Sequence, residues 1–320
     1  MSLIDFFTNH TYRMVFAGTT IVGFVAGMLG CFSYLRKQSL ISDVISHSSL
    51  PGVYLAFLFM IGILQADGRN MLALVIGAVL IGTCAVMMTN TITRVSKIKV
   101  DAAMACVLTM FFGAGMILMR LILKGNYKGK GGIQDYLFGN ASVITYADLA
   151  ISTSVGAVAL IVMLLFWKQY VVRSFDPVYS ATIGVNSTLI DILMFATIAI
   201  ATVIGVKSVG LVLMVAFVVT PPAAARQWTK RVWTMTLLSG FFGALGSALG
   251  AYISISLGKI PTGPLTALVL FAIFVASLLF APQRSIIVRY LRRRQARKAF
   301  LEAINSDNYR IQLLHEESRR

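Results

Sequence analysis

The chain has 320 residues, of which 58% are hydrophobic and only 12% charged, and its mean hydropathy is +0.81. A soluble domain carries about a quarter charged residues, so the composition excludes a soluble enzyme or carrier and predicts an integral membrane protein. The formal charge of +16 does not point to nucleic acid, because the Lys and Arg residues sit between apolar stretches and in the C-terminal tail, where membrane topology places them.

The opening "MSLIDFFTNHTYR" lacks a basic n-region, and the apolar run after it is span-length, so it reads as a retained first helix. About 20 apolar residues cross a bilayer. Nine runs qualify in chain order: Met14–Leu35, Ser39–Leu64, Met71–Thr89, Ala102–Leu123, Ala147–Phe166, Leu189–Val206, Val209–Ala224, Val232–Leu257 and Pro264–Ala281. The runs are continuously apolar, whereas barrel strands alternate. The expected fold is an all-α polytopic transmembrane helical bundle of about 8–9 spans, with a cytoplasmic amphipathic C-terminal helix. Residues 1–285 would form the membrane domain and 286–320 a basic helical tail.

The seventh run is short and ends in "TPPAAAR". Pro221 and Pro222 remove backbone donors, so that helix is expected to break or end there. Gly23 and Gly27 form a small-residue pair for close helix packing. Gly246 and Gly250 form another, which could pack internally or supply part of a dimer seam. Cys31, Cys84 and Cys106 show no CxxC spacing and read as small buried residues.

Basic residues orient the spans. The tail "RYLRRRQARK" is expected inside. Counting back places Arg226, Lys230 and Arg231, then Lys168 and Arg173, then Arg94, Lys97 and Lys99, then Arg36 and Lys37, on the same side. The loop with Lys124, Lys128 and Lys130 runs against the rule and is outvoted.

The residues that carry chemistry lie at the start of the second span. Asp43 and His47 are four apart and so share one helical face. Counted from Lys37, His47 would lie about 15 Å along the helix, inside the membrane domain. An ionisable pair there is a functional hypothesis. A hard oxygen with an imidazole nitrogen suits Mn, Fe, Co or Zn. An interhelical hydrogen bond or a structural ion pair is the alternative. The other histidines, His10 and His315, lie near the two ends of the chain. Two ligands are few, and a homodimer or close heterodimer with this face on its axis would double them to four. Asp101, Arg120, Asp148 and Asp191 read as residues near span ends rather than ligands. There is no GxxxxGK[ST] phosphate loop and no HExxH, so no ATPase or zinc-protease motif is present.

Four stretches occur in the order of a known family. "DVISHSSLPGVYLAF" resembles the second-helix signature of the manganese/zinc/iron permeases of bacterial ABC importers. "GGIQDYLFGNASVITYADL", "SFDPVYSATIGVN" and "VGLVLMVAFVVTPPAAAR" resemble its LFG loop, its cytoplasmic Phe-Asp segment and its late Pro-Ala segment. Ser48 stands where that family usually has Ala, and Pro221-Pro222 doubles its single Pro.

The resemblance implies a permease, not itself an enzyme, in the bacterial inner membrane with a cytoplasmic C-terminus. It would hold no permanent cofactor and would pass Mn, Zn or Fe, the match leaning to manganese. The partners implied are a second permease chain, identical or paralogous, a cytoplasmic ATPase dimer and an extracytoplasmic metal-binding protein. Asp43 and His47 would be the metal pair. Asp176, Pro177, Ala181 and Gly184 would belong to the ATPase-coupling helix. Asp176 would cap that helix and Gly184 would let backbones approach. Pro51, Gly52, Pro221 and Pro222 would mark helix breaks or gates. Two rivals remain: a secondary metal/proton transporter or channel working without an ATPase, and a membrane enzyme or scaffold suggested only by the long tail.

Overall fold

Capping side chains and prolines divide much of the apolar sequence into helices, twelve of them among the described residues between 10 and 280. The computed structural model describes residues 10–38, 40–65, 68, 70–127, 145–184, 186–257, 261–282 and 293–298, with backbone alone at 207–209 and 211–213. In chain order the helices are α1 (His10–Leu35), α2 (Ile41–Ser48), α3 (Leu50–Gly62), α4 (Met71–Val95), α5 (Val100–Lys124) and α6 (Tyr146–Leu165). They continue as α7 (Trp167–Phe175), α8 (Pro177–Thr182), α9 (Ser187–Val209), α10 (Leu211–Trp228), α11 (Val232–Leu257) and α12 (Thr262–Phe280). No strand occurs among the described residues. The LFG loop lies almost wholly outside them, as does all of the tail except the helical residues 293–298.

Several helix starts follow from local chemistry. The first backbone N–H groups of a helix have no partner within it, and a side-chain oxygen can accept from them. The Asn70 side chain accepts from the N–H groups of Leu72 and Ala73. Thr145 and Asp148 form a reciprocal capping box. Asn186 accepts from Leu189 N–H to start α9. The turn between α1 and α2 is tight. Lys37 has φ +57°, and Ser33 Oγ donates to the Gln38 carbonyl at 2.9 Å.

Eight helical stretches among the described residues are long and apolar enough to span a membrane, with α2 and α3 counted as one rod, Ile41–Gly62. Ser49 between them keeps helical backbone, φ −73° and ψ −19°. Pro51 falls in the first turn of α3, where its lost N–H leaves the His47 carbonyl without its helical donor. The rod begins at Ile41, not Ser39, so His47 stands six residues into it, about 9 Å. That is shallower than the run of sequence suggested.

The seventh run corrects an expectation. Helix α10 does not stop at its prolines; it continues to Trp228 with Pro221 and Pro222 inside it. Pro222 cannot donate to the Val218 carbonyl. That carbonyl faces Gly30 of α1, where an added Cβ would overlap it. The absent side chain lets α1 cover the freed oxygen, as membrane-buried prolines require. Gly210, at φ +93°, joins α9 directly to α10. Helix α10 then returns to the Arg36 end of the bundle, where Ala225 packs with Cys31 and Met235.

Helices α1 and α9 are central, each with 72% of its apolar window buried. Helices α5, α6 and α12 lie at the edge, at 17–22%. Lipid tails are as apolar as Leu, so packing and close backbone approach hold such a bundle together. Gly23 and Gly27 face Gly243 and Ser239 of α11. Gly246 and Gly250 face Leu270 and Thr266 of α12, so this pair packs within the chain rather than at a dimer seam. Cys31 is buried as expected, but Cys84 and Cys106 are exposed because they stand on outer faces of α4 and α5.

Candidate metal site

Asp43 falls in the first turn of α2, where a helix N-terminus favours negative charge. One turn on, His47 Nε2 lies 3.4 Å from Asp43 Oδ1. The side chains are 33% exposed at Asp43 and 19% at His47. The His47 ring meets Phe112 of α5 edge-on, with centroids 5.1 Å apart. That contact fixes the ring plane, which a histidine ligand otherwise has to pay for in entropy. His47 Nδ1 is buried and has no hydrogen-bonding partner among the described residues.

The pair fits a transition-metal cargo. Two ligands with bonds of about 2.1 Å at a tetrahedral angle sit about 3.4 Å apart. No group of three or more His, Cys, Asp or Glu that could hold a metal ion occurs among the described residues. Asp43 also lines a cavity of about 140 Å³ shared with Leu40, Val44, Asp101 and Met104. Asp101, in the first turn of α5, lines the same cavity, whose wall is almost wholly apolar.

The other predicted positions are spread along the bundle. Pro51 and Gly52 follow on the same rod. A Cβ at Gly52 would overlap the Gly77 carbonyl, so α3 and α4 touch backbone to backbone there. Pro221 and Pro222 lie on α10, which packs against α2. Asp176, Pro177, Ala181 and Gly184 form or end α8, outside the spans. Asp176 Oδ1 accepts from Tyr179 N–H at 2.9 Å, and Pro177 is the first helical residue. Within the chain, nothing lies within 4 Å of where a Gly184 Cβ would be. Its φ of +75° is what calls for glycine there.

A charge cluster escaped the sequence reading. Asp191, at the start of the second turn of α9, is 2% exposed. Its Oδ1 accepts from Arg36 Nη1 at 2.8 Å and from Arg173 Nε at 2.9 Å. Its Oδ2 accepts from Arg173 Nη2 at 2.6 Å. Arg94 Nη2 stands 3.8 Å from Oδ2. Arg36 also lies over the Phe195 ring, 5.0 Å from its centroid. Burial draws the Arg36 guanidinium down while Asp191 holds it up. The hydrogen bonds to Asp191 push Arg173 higher. The usable signal was a single acid opening an apolar span, with three loops sending arginines to the same side. The cluster places Arg36, Arg94 and Arg173 at one end of the bundle, as the charge rule required.

Comparison with known proteins agrees with this geometry. Residues 9–281 match the family described as ABC 3 transport family. The zinc transport system membrane protein TroC of Treponema pallidum is 33% identical over 294 residues, 92% of this chain and 97% of that protein. The manganese transport system membrane protein MntC of Bacillus subtilis is 35% identical over 297 residues, 91% of this chain and 67% of that protein. A chain in the solved structure of PsaBC from Streptococcus pneumoniae in complex with Fab superposes with a TM-score of 0.77 at 31% identity, covering 92% of this chain and 100% of that one. By the extent of these matches, this multi-pass membrane protein belongs to the ABC 3 transport family.

Proposed function

We propose that the chain is the membrane permease of an ATP-driven importer of a divalent transition metal, with manganese as the leading cargo and zinc or iron as its competitors. The observation that carries this reading is the Asp43–His47 pair, 3.4 Å apart near one end of the α2–α3 rod. One oxygen and one imidazole nitrogen bind Mn, Fe or Zn without selecting sharply among them. Among relatives, MntC is named for manganese and TroC for zinc.

A second permease chain, identical or paralogous, would bring two more ligands to the axis. Two to four mixed ligands hold an ion long enough to pass it on and weakly enough to release it. An extracytoplasmic binding protein would deliver the ion. The end of the bundle with Arg36, Arg94 and Arg173 would face the cytoplasm. At that end α8 and its flanking residues show Phe175, Val178, Tyr179 and Ile183 to solvent, at 48–75% exposure. Apolar side chains on a short capped helix outside the spans suit docking on a soluble ATPase subunit. Asp176, Pro177, Ala181 and Gly184 would set that helix's shape. Pro51, Gly52, Pro221 and Pro222 would be the points where the path bends.

The test is metal uptake by proteoliposomes carrying the whole importer, with Asp43→Ala and His47→Ala beside wild type. Both variants should assemble with the ATPase and fail to move Mn, Fe and Zn. Normal transport by both would make the pair packing glue. Uptake by wild type without any ATPase would favour a secondary transporter.

A further inference from the structure

The Asp191 cluster spans the distance between α8 and the metal-site helix. Arg173 belongs to α7, and its Nη1 also donates to the carbonyl of Pro177, the first residue of α8, at 3.4 Å. Arg36 lies in the connection between α1 and α2, seven residues before Asp43. Asp191 joins the two arginines through hydrogen bonds of 2.6–2.9 Å. These three side chains form one hydrogen-bonded path from the first residue of α8 to the α1–α2 connection.

The cluster also has two ways to pair. A buried carboxylate does not tolerate being left without a cation. The Asp191 side chain is 3% exposed and that of Arg173 is 8%. A shift of α7 that withdraws Arg173 leaves Arg36 on Oδ1 but strips Oδ2 of its partner, so Asp191 follows Arg173 or hands Oδ2 to another guanidinium. Arg94 is placed for that exchange, 3.8 Å away, 63% exposed and making no shorter contact with Asp191. One acid beside three guanidiniums thus offers Oδ2 two partners, Arg173 now in contact and Arg94 within reach, which is what a bistable element coupling two sites requires.

We propose that Asp191 is a positioning residue that transmits movement of α7 and α8 to the α1–α2 connection, and through it to the Asp43–His47 pair, by exchanging Arg173 for Arg94. The inference rests on reading α8 as the ATPase-docking helix.

The test uses the complete importer, permease with its ATPase subunits and binding protein, in proteoliposomes with manganese as probe. The quantity read is manganese moved per ATP hydrolysed. A lower folded fraction reduces both rates together and leaves this ratio alone, so a merely structural role does not move it. Asp191→Asn keeps the shape and removes the charge, and the ratio should fall about fivefold or more. Asp191→Glu, which restores a carboxylate, should recover part of it. A wild-type ratio in Asp191→Asn overturns the proposal.

If Asp191→Asn does not assemble, Arg94→Gln decides. That side chain is mostly exposed, so the fold tolerates its loss, and the ratio should again fall. An unchanged ratio in that variant overturns the proposal. Wild type that takes up manganese without ATP hydrolysis overturns the parent reading and this inference together. Wild-type coupling with insensitive variants overturns this inference alone.

Discussion

Ser239 donates its hydroxyl hydrogen to the Gly27 carbonyl at 2.6 Å, tying the middle of α11 to α1. Ser239 is fully buried, and Gly27 has no side chain to hold the two backbones apart. Close approach and an interhelical hydrogen bond thus occur at one point, as expected where lipid gives helices no hydrophobic reason to associate.

Ser239→Ala removes that bond. Interhelical hydrogen bonds in membrane proteins contribute about 0.6 kcal/mol on average and about 1.7 at most. The substitution should lower the thermal midpoint in detergent by a few degrees. Gly27→Leu should be much worse, because its side chain has to displace the Ser239 backbone. A Gly27→Leu protein as stable as wild type would show that the seam is not close-packed.

Gly30 and Gly113 make a sharper contrast. A Cβ at Gly30 overlaps the Val218 carbonyl, whereas nothing lies within 4 Å of one at Gly113. Gly30→Ala should destabilise the protein and lower its folded yield. Gly113→Ala, in the interior of α5, should be neutral or stabilise by up to about 1 kcal/mol through helix propensity. Thermal unfolding of the two variants side by side checks this, and the reverse order would contradict the packing of α10 on α1.

The metal pair should behave as one unit. Asp43→Asn and His47→Gln keep volume but weaken ligation, and each should cut uptake by about tenfold or more while the thermal midpoint stays near wild type. Groups that act together are strongly non-additive, so the double variant should be little worse than either single. Multiplying losses would mean that the two residues serve separate steps.

Helix α8 depends on its two ends. Asp176→Ala removes the cap and costs about 1 kcal/mol locally. Gly184→Ala places a side chain at φ +75° and costs about as much. Both substitutions lie outside the spans, so the protein should still fold in the membrane. Co-purification with the ATPase should weaken, and Asp176→Ser, which keeps a capping oxygen, should restore it. Undiminished co-purification of both loss-of-shape variants would move the docking surface elsewhere.

The sequence alone determined the membrane class, the positions of eight apolar spans and the shared side of the basic loops. It also placed Asp43 and His47 on one face. These are local or one-dimensional properties: hydropathy over a span, charge between spans, and the 3.6-residue turn. The Asp176 cap was legible for the same reason, because a cap bonds three residues ahead.

What remained was decided by packing between distant segments. The sequence showed that Pro221 and Pro222 lose donors, but not that Gly30 would bring α1 against the Val218 carbonyl and let the helix run on. It showed one acid at the start of the ninth helix and arginines in three loops. It did not show that positions 36 and 173 would close on residue 191, separations of 155 and 18 residues. Gly184 announced itself as glycine, yet only the backbone reveals that its positive φ, and not crowding within the chain, needs it. Local bonding preferences are written residue by residue. The meeting of a carboxylate with three guanidiniums depends on how whole helices pack, and only the tertiary structure settles that.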